Sequence, residues 1–146
     1  MAWSKRVINI FPVGEYRWRG PKEPTAWEGV KHTKTFSPAC AQKCNPPCQE
    51  RSEDCLYLNV FTPTSTLKDN RKTAVGVWLH GGAFATGAGG SPLYNGKFVA
   101  PTMDMVIVTV NYRLTAFGYL SIDKIEDGEQ TGKSVLYFSK LINKKE

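Results

Sequence analysis

Three segments of the chain carry the apolar signature of extended structure. Leu56-Tyr57-Leu58-Asn59-Val60-Phe61 is rich in β-formers and is stopped by Thr62-Pro63. Ala74-Val75-Gly76-Val77-Trp78-Leu79 and Met105-Val106-Ile107-Val108-Thr109-Val110 are continuous apolar runs. Unbroken runs of that kind suit strands covered on both faces, as in a parallel sheet. Between the two runs lie a glycine-rich loop, residues 81–90, and a segment, residues 94–103, long enough for about two helical turns. Strand, loop, helix and strand in that order form the βαβ unit of an α/β sheet, which sets the expected fold class.

The remaining chain is patterned differently. Residues 1–36 are rich in turn formers (Pro12, Gly14, Gly20, Pro21, Pro24, Gly29) interleaved with Trp3, Trp18 and Trp27, which predicts irregular chain pinned by aromatic anchors. Residues 37–54 form a cysteine-rich loop in which Pro38, Pro46 and Pro47 exclude helix. Residues 64–73 are polar and charged and are expected to form a loop. Near the end, Ser134 to Lys144 carries Leu136, Leu141 and Ile142 with lysines at its close, a helical pattern.

Composition narrows the class. The 146 residues are 41% hydrophobic and 12% aromatic, which is globular rather than disordered. The net charge of +6 is scattered and forms no dense Lys/Arg run, so a solvated surface is expected and not a nucleic-acid partner. No stretch approaches the ~20 apolar residues of a membrane span.

The four cysteines, Cys40, Cys44, Cys48 and Cys55, fall in one short segment, which suggests disulfides and an oxidising compartment. The early apolar run Val7 to Phe11 is shorter than the ~7–15 residues of a signal h-region. The compartment therefore stays open, a secreted parent protein being one reading. Four cysteines allow three pairings, and spacing alone does not choose. A zinc site is disfavoured because C-x3-C-x3-C-x6-C lacks a C-x2-C knuckle, and no metal or cofactor is expected.

The strongest chemical signal is His80-Gly81-Gly82-Ala83-Phe84, directly after an apolar run. Glycines at the C-terminal edge of a strand let backbone approach a ligand and expose successive N–H groups. Such donors suit an oxyanion that develops during acyl transfer. A tight turn that binds nothing would read the same way.

The motif has company. Pro12-Val13-Gly14-Glu15-Tyr16-Arg17-Trp18, Trp27-Glu28-Gly29-Val30, Pro38-Ala39-Cys40, Ser52-Glu53-Asp54-Cys55-Leu56-Tyr57-Leu58-Asn59-Val60, Trp78 to Phe84, Asn111-Tyr112-Arg113-Leu114 and Phe117-Gly118-Tyr119-Leu120 follow one another from residue 12 to about 128. In order and spacing they resemble the type-B carboxylesterase/cholinesterase family. The resemblance implies an incomplete α/β-hydrolase fold over residues 1–128, followed by a divergent tail, 129–146. It implies an oxyanion-hole loop at Gly81, Gly82 and Ala83, with the N–H groups of Gly82 and Ala83 as donors. It further implies a disulfide between Cys40 and Cys55, a structural ion pair between Arg17 and Glu53, and an acidic partner for Arg113 beyond the matching blocks. Cys44 and Cys48 stand outside the pattern.

In that family the nucleophile sits in a G-x-S-x-G elbow downstream of these blocks, and no such elbow occurs in the 146 residues. Neither His32 nor His80 has a nucleophile at a spacing that supports a catalytic pair. The expectation is therefore an N-terminal portion of a serine carboxylesterase acting on small esters, with no catalytic residue of its own and no turnover by itself. The alternative is a portion of a non-catalytic, cholinesterase-like adhesion protein of the neuroligin type. Either way the open edge of the sheet, with Val75, Val77, Val106 and Val108 beside it, is expected to seek a partner or self-associate.

Overall fold

The computed structural model describes residues 2–7, 13–14, 17, 28–29, 32–43, 50–69 and 71–120. A four-stranded sheet carries the molecule: β1 (Ala2–Val7), β4 (Tyr57–Thr62), β6 (Val106–Val110) and β5 (Val75–Leu79), side by side in that order. Two-residue strands β2 (Ala39–Cys40) and β3 (Arg51–Ser52) pair in parallel as a separate clip. Helices α1 (Thr64–Asp69), α2 (Gly96–Met103) and α3 (Thr115–Tyr119), with a 3-10 turn at Pro92–Tyr94, complete the described elements.

β5 and β6 pair in parallel, Val75 opposite Val106 through Leu79 opposite Val110, with α2 on the crossover between them. This is the expected βαβ unit. β4 runs antiparallel to β6, Leu58 facing Val110, and β1 runs antiparallel to β4. Helix α2 lies against β4 and β6. Its close approach needs Gly96, because a Cβ there would stand 2.5 Å from the Phe61 ring. Asn95 caps the helix, accepting the Lys97 N–H at 3.0 Å, and Pro101 lies two residues before its end.

Two expectations need correction. Residues 2–7, expected as irregular chain, pair as a strand with β4. The polar stretch 64–73 contains the helix α1, which buries none of its residues and so leaves no apolar stripe to read. At the open edge of the sheet the run at β5 is, as expected, left without cover on both faces. Val75, Val77, Trp78 and Leu79 are all exposed among the described residues, Val75 at 60%. The expected helix Ser134 to Lys144, the tail 129–146, and Cys44 and Cys48 lie outside the described residues.

The buried core lies along β4 and the end of β6, in Leu58, Phe61, Val110 and Leu114, and reaches the clip through Ala39, Cys40 and Cys55. Its most deeply buried residues include Thr109, Val110 and Leu114, where β6 ends beneath the glycine loop.

Candidate active site: the glycine loop

The loop leaves β5 at His80, which is only 3% exposed. Its ring stacks on Tyr112 with centroids 4.3 Å apart, while the Tyr112 hydroxyl donates to the His80 carbonyl at 2.5 Å. His80 Nδ1 lies 2.9 Å from the Gly81 carbonyl oxygen. A carbonyl can only accept, so Nδ1 carries the proton. Burial lowers the His80 pKa from its ordinary 6.5, and the bond to Gly81 works weakly against that.

The sign of the resulting pH effect is fixed. Because the folded-state pKa lies below the unfolded one, the unfolded chain binds a proton first as pH falls. Stability owed to neutral His80 is complete above about pH 6.5, the reference value, and is lost as pH drops through the folded pKa. A His80→Gln variant is expected to flatten this part of the stability–pH curve. An identical slope in both proteins, measured by urea unfolding between about pH 7 and 5, would contradict it.

Beyond His80 the backbone turns left-handed. Gly82 has φ +127°, Ala83 +52° and Phe84 +57°. A Cβ at Gly82 would lie 2.0 Å from the Thr86 carbonyl oxygen, so only glycine fits. At Ala83 and Phe84 the conformation costs roughly 1–2 kcal/mol per residue. Local bonds hold it: the N–H groups of Ala85 and Thr86 both reach the Gly82 carbonyl at 3.0 Å, and the Thr115 N–H reaches the Phe84 carbonyl at 2.8 Å. The Phe84 ring meets Tyr119 edge-on at 4.9 Å.

These bonds have a geometric corollary. In a trans peptide the C=O and N–H point to opposite sides of the chain. The Gly81 carbonyl, tied to His80, shares its peptide plane with the Gly82 N–H. The Gly82 carbonyl, tied to Ala85 and Thr86, shares its plane with the Ala83 N–H. Both N–H groups are thereby aimed away from the loop interior, and among the described residues no acceptor takes either of them. Gly81, Gly82 and Ala83 are exposed to solvent.

Polar side chains moor the far end of the loop. The Asn111 side chain accepts the Gly89 N–H at 2.7 Å and donates to the Pro38 and Cys55 carbonyls at 3.0 Å each. Thr109 donates to the Gly89 carbonyl at 2.7 Å and itself accepts from Asn59 at 3.0 Å. Gly89 lies so flush on β6 that a Cβ would stand 2.8 Å from Val110 backbone atoms. Neither Asn111 nor Thr109 stands out chemically in the sequence. Bonds from a side chain to backbone twenty to seventy residues away have no local signature.

Cys40 and Cys55 are joined by a disulfide. Both are buried, and the bond takes their sulfurs out of any metal-binding set. Arg17 holds Glu53 with two short bonds, 2.7 Å from Nε and 2.6 Å from Nη2, and its guanidinium stands 5.7 Å from the centre of the Phe117 ring. The pair is partly exposed, so it fixes position more than it stabilises. Beside it, in a pocket lined also by Cys40, Cys55 and Leu114, Arg113 buries an Nε with no hydrogen-bond partner among the described residues. Burial alone disfavours its charged form. His32 is exposed and lies apart in sequence from the loop.

The fold is that of part of an α/β-hydrolase carboxylesterase. The family model described as the carboxylesterase family matches residues 11–131, and the chain belongs to that family. It is 38% identical over 122 residues to the para-nitrobenzyl esterase of Bacillus subtilis (strain 168), covering 80% of this chain and 24% of that protein. It is 37% identical over 140 residues to a medium-chain fatty acyl-CoA hydrolase precursor of Anas platyrhynchos, covering 81% of this chain and 25% of the relative. Among solved structures, a thermophilic PNB esterase superposes with a TM-score of 0.77 at 34% identity, over 90% of this chain and 28% of that one. A carboxylesterase of Geobacillus stearothermophilus gives 0.71 at 41% identity, over 84% and 24%. The chain thus spans about a quarter of the length of the relatives it matches. Among the described residues no helix is long and apolar enough to cross a membrane.

Proposed function

We propose that this chain forms the oxyanion-binding portion of a carboxylic-ester hydrolase that works through a serine acyl-enzyme. The supporting observation is the pair of peptide planes at Gly81–Gly82 and Gly82–Ala83, whose carbonyls are tied inward and whose N–H groups are left without an acceptor among the described residues. When a nucleophile adds to an ester carbonyl, the oxygen gains charge, and two such donors stabilise it more than they stabilise the ground state. The serine that attacks, the histidine that takes its proton and the acid that orients that histidine belong, in this reading, to residues other than these 146. The alcohol then leaves with a proton, and water releases the acid.

The substrate class is a small ester, in keeping with the names of the esterase and acyl-CoA hydrolase relatives. Those relatives favour a hydrolase over an adhesion protein. The exposed outer edge of β5, with Val75, Val77 and Leu79, is where further polypeptide or a second copy would add.

The test is turnover of p-nitrophenyl acetate by the 146-residue chain beside its Gly82→Ala variant. Equal rates, at the level of general surface catalysis, are expected. A rate for the unmodified chain about tenfold or more above the variant would mean that a nucleophile resides here after all.

A further inference from the structure

Gln42 ties the disulfide-closed segment to the glycine loop in an unusual way. Its Nε2 donates to the Gly87 carbonyl at 2.8 Å and to the Cys40 carbonyl at 3.1 Å, while its Oε1 accepts the Gly87 N–H at 2.8 Å. The amide orientation is settled by its partners, since two carbonyls can face only the NH2 end and an N–H only the oxygen. Gly87 therefore has both backbone polar groups engaged by one side chain forty-five positions earlier.

Gly87 in turn packs on the imidazole of His80. At its φ of +120° a Cβ would lie 2.2 Å from His80 Nδ1 and 2.7 Å from the Gly81 carbonyl oxygen. The backbone of Gly87 is thus the wall against which the His80 ring and the Gly81 carbonyl are set. Tyr112 closes one face of the ring by stacking. Held between these two neighbours, the ring has one arrangement, Nδ1–H to Gly81 oxygen. That bond fixes the plane carrying the Gly82 N–H.

We infer that Gln42 is a positioning residue for the oxyanion-binding amide of Gly82, acting through Gly87 and the His80 ring. The inference rests on the functional reading above only for the purpose of that amide. The mechanical linkage itself stands on the three Gln42 hydrogen bonds and on the packing of Gly87 against His80. Gln42 touches no reacting atom. Its carboxamide relays the placement of Cys40, anchored by the Cys40–Cys55 disulfide, into the direction of one N–H.

The linkage has a spectroscopic signature that mere loss of stability does not reproduce. The chain holds only two histidines, His32 and His80, so long-range 1H–15N spectra of the imidazole nitrogens can assign each tautomer. In the unmodified 146-residue chain His80 is expected as the Nδ1–H form. Gln42→Ala removes the contacts to Gly87, and His80 is expected to shift toward the Nε2–H form while His32 is unchanged. Hydrogen exchange at the Ala85 and Thr86 amides is expected to quicken about tenfold or more, with the Val108 and Val110 amides of β6 unaffected. Gln42→Glu keeps the acceptor for the Gly87 N–H and the side-chain volume but loses both donated bonds, and is expected to fall between the two. Should Gln42→Ala also unprotect β6, the Gln42→Glu chain gives the deciding spectrum. An Nδ1–H tautomer and unchanged loop exchange in a variant with intact β6 protection would overturn the inference.

A separate arm tests the purpose of the amide. Methylphosphonate, a tetrahedral anion, is expected to shift the Gly82 and Ala83 amide resonances of the unmodified chain and to do so less in Gln42→Ala. If those resonances ignore the anion while the tautomer still follows Gln42, the linkage holds and the oxyanion reading fails.

Discussion

Asn111→Leu is expected to lower the unfolding free energy by about 4 kcal/mol, read as a shift of the urea midpoint at unchanged slope. Asn111 is 5% exposed and satisfies three backbone groups, the Gly89 N–H and the carbonyls of Pro38 and Cys55. Leucine fills nearly the same space and leaves all three facing an apolar side chain. Each buried group stranded in that way costs roughly 1–3 kcal/mol, and the extra apolar burial offsets only part of it. For a domain whose total stability is of order 5–15 kcal/mol, such a loss can abolish folding near the lower end. Asn111→Asp separates the two ends of the amide. It keeps the acceptor for Gly89 but turns a second oxygen toward two carbonyls, so it is expected to be at least as damaging near neutral pH and to recover partly in acid. A loss under about 1 kcal/mol in Asn111→Leu would show that water or rearrangement replaces the amide.

Removing the disulfide is the second large effect. Cys40 and Cys55 are separated by 15 positions, and opening a loop of that size costs about 3 kcal/mol through the greater freedom of the unfolded chain. The Cys40→Ser, Cys55→Ser chain should lose about that amount in denaturant unfolding. Both sulfurs are buried, Cys55 fully, so dithiothreitol under native conditions should act slowly and speed up sharply once denaturant opens the clip. Rapid reduction of the folded protein would contradict the burial. Because Cys40 also accepts from Gln42, the loss should reach the glycine loop, and its amides should exchange faster than those of β6.

These effects separate the parts of the molecule that the sequence announces from those it does not. β4, β5 and β6 are legible to within a residue because dense Val, Ile and Leu runs have few other fates. The glycine loop is legible because Gly81 and Gly82 follow such a run directly. The exposure of β5 is legible too, since an apolar run records the environment a strand is built for, and only part of that environment lies in the described residues. Helix α1 leaves no signal because Thr64–Asp69 packs nothing into the core, its surroundings being held by Ser65 and Arg71 bonding to the Asp104 carboxylate. Asn111 carries meaning in the sequence only as part of a family block, and Gln42 and Thr109 carry none. What each does depends on backbone groups brought near by folding, which no spacing rule reaches.

The order β1-β4-β6-β5 also dictates a sequence of events during synthesis. β5 leaves the ribosome before β6, yet β6 is its neighbour in the sheet and stands between it and β4. Until residue 110 has emerged, Val75–Leu79 has nothing in the described sheet to bond with, and the ends of the glycine loop have no β6 to lie on. Val75–Leu79 is thus, for that interval, a tethered and sticky ribbon, and a chaperone competing for it would meet it before the fold does.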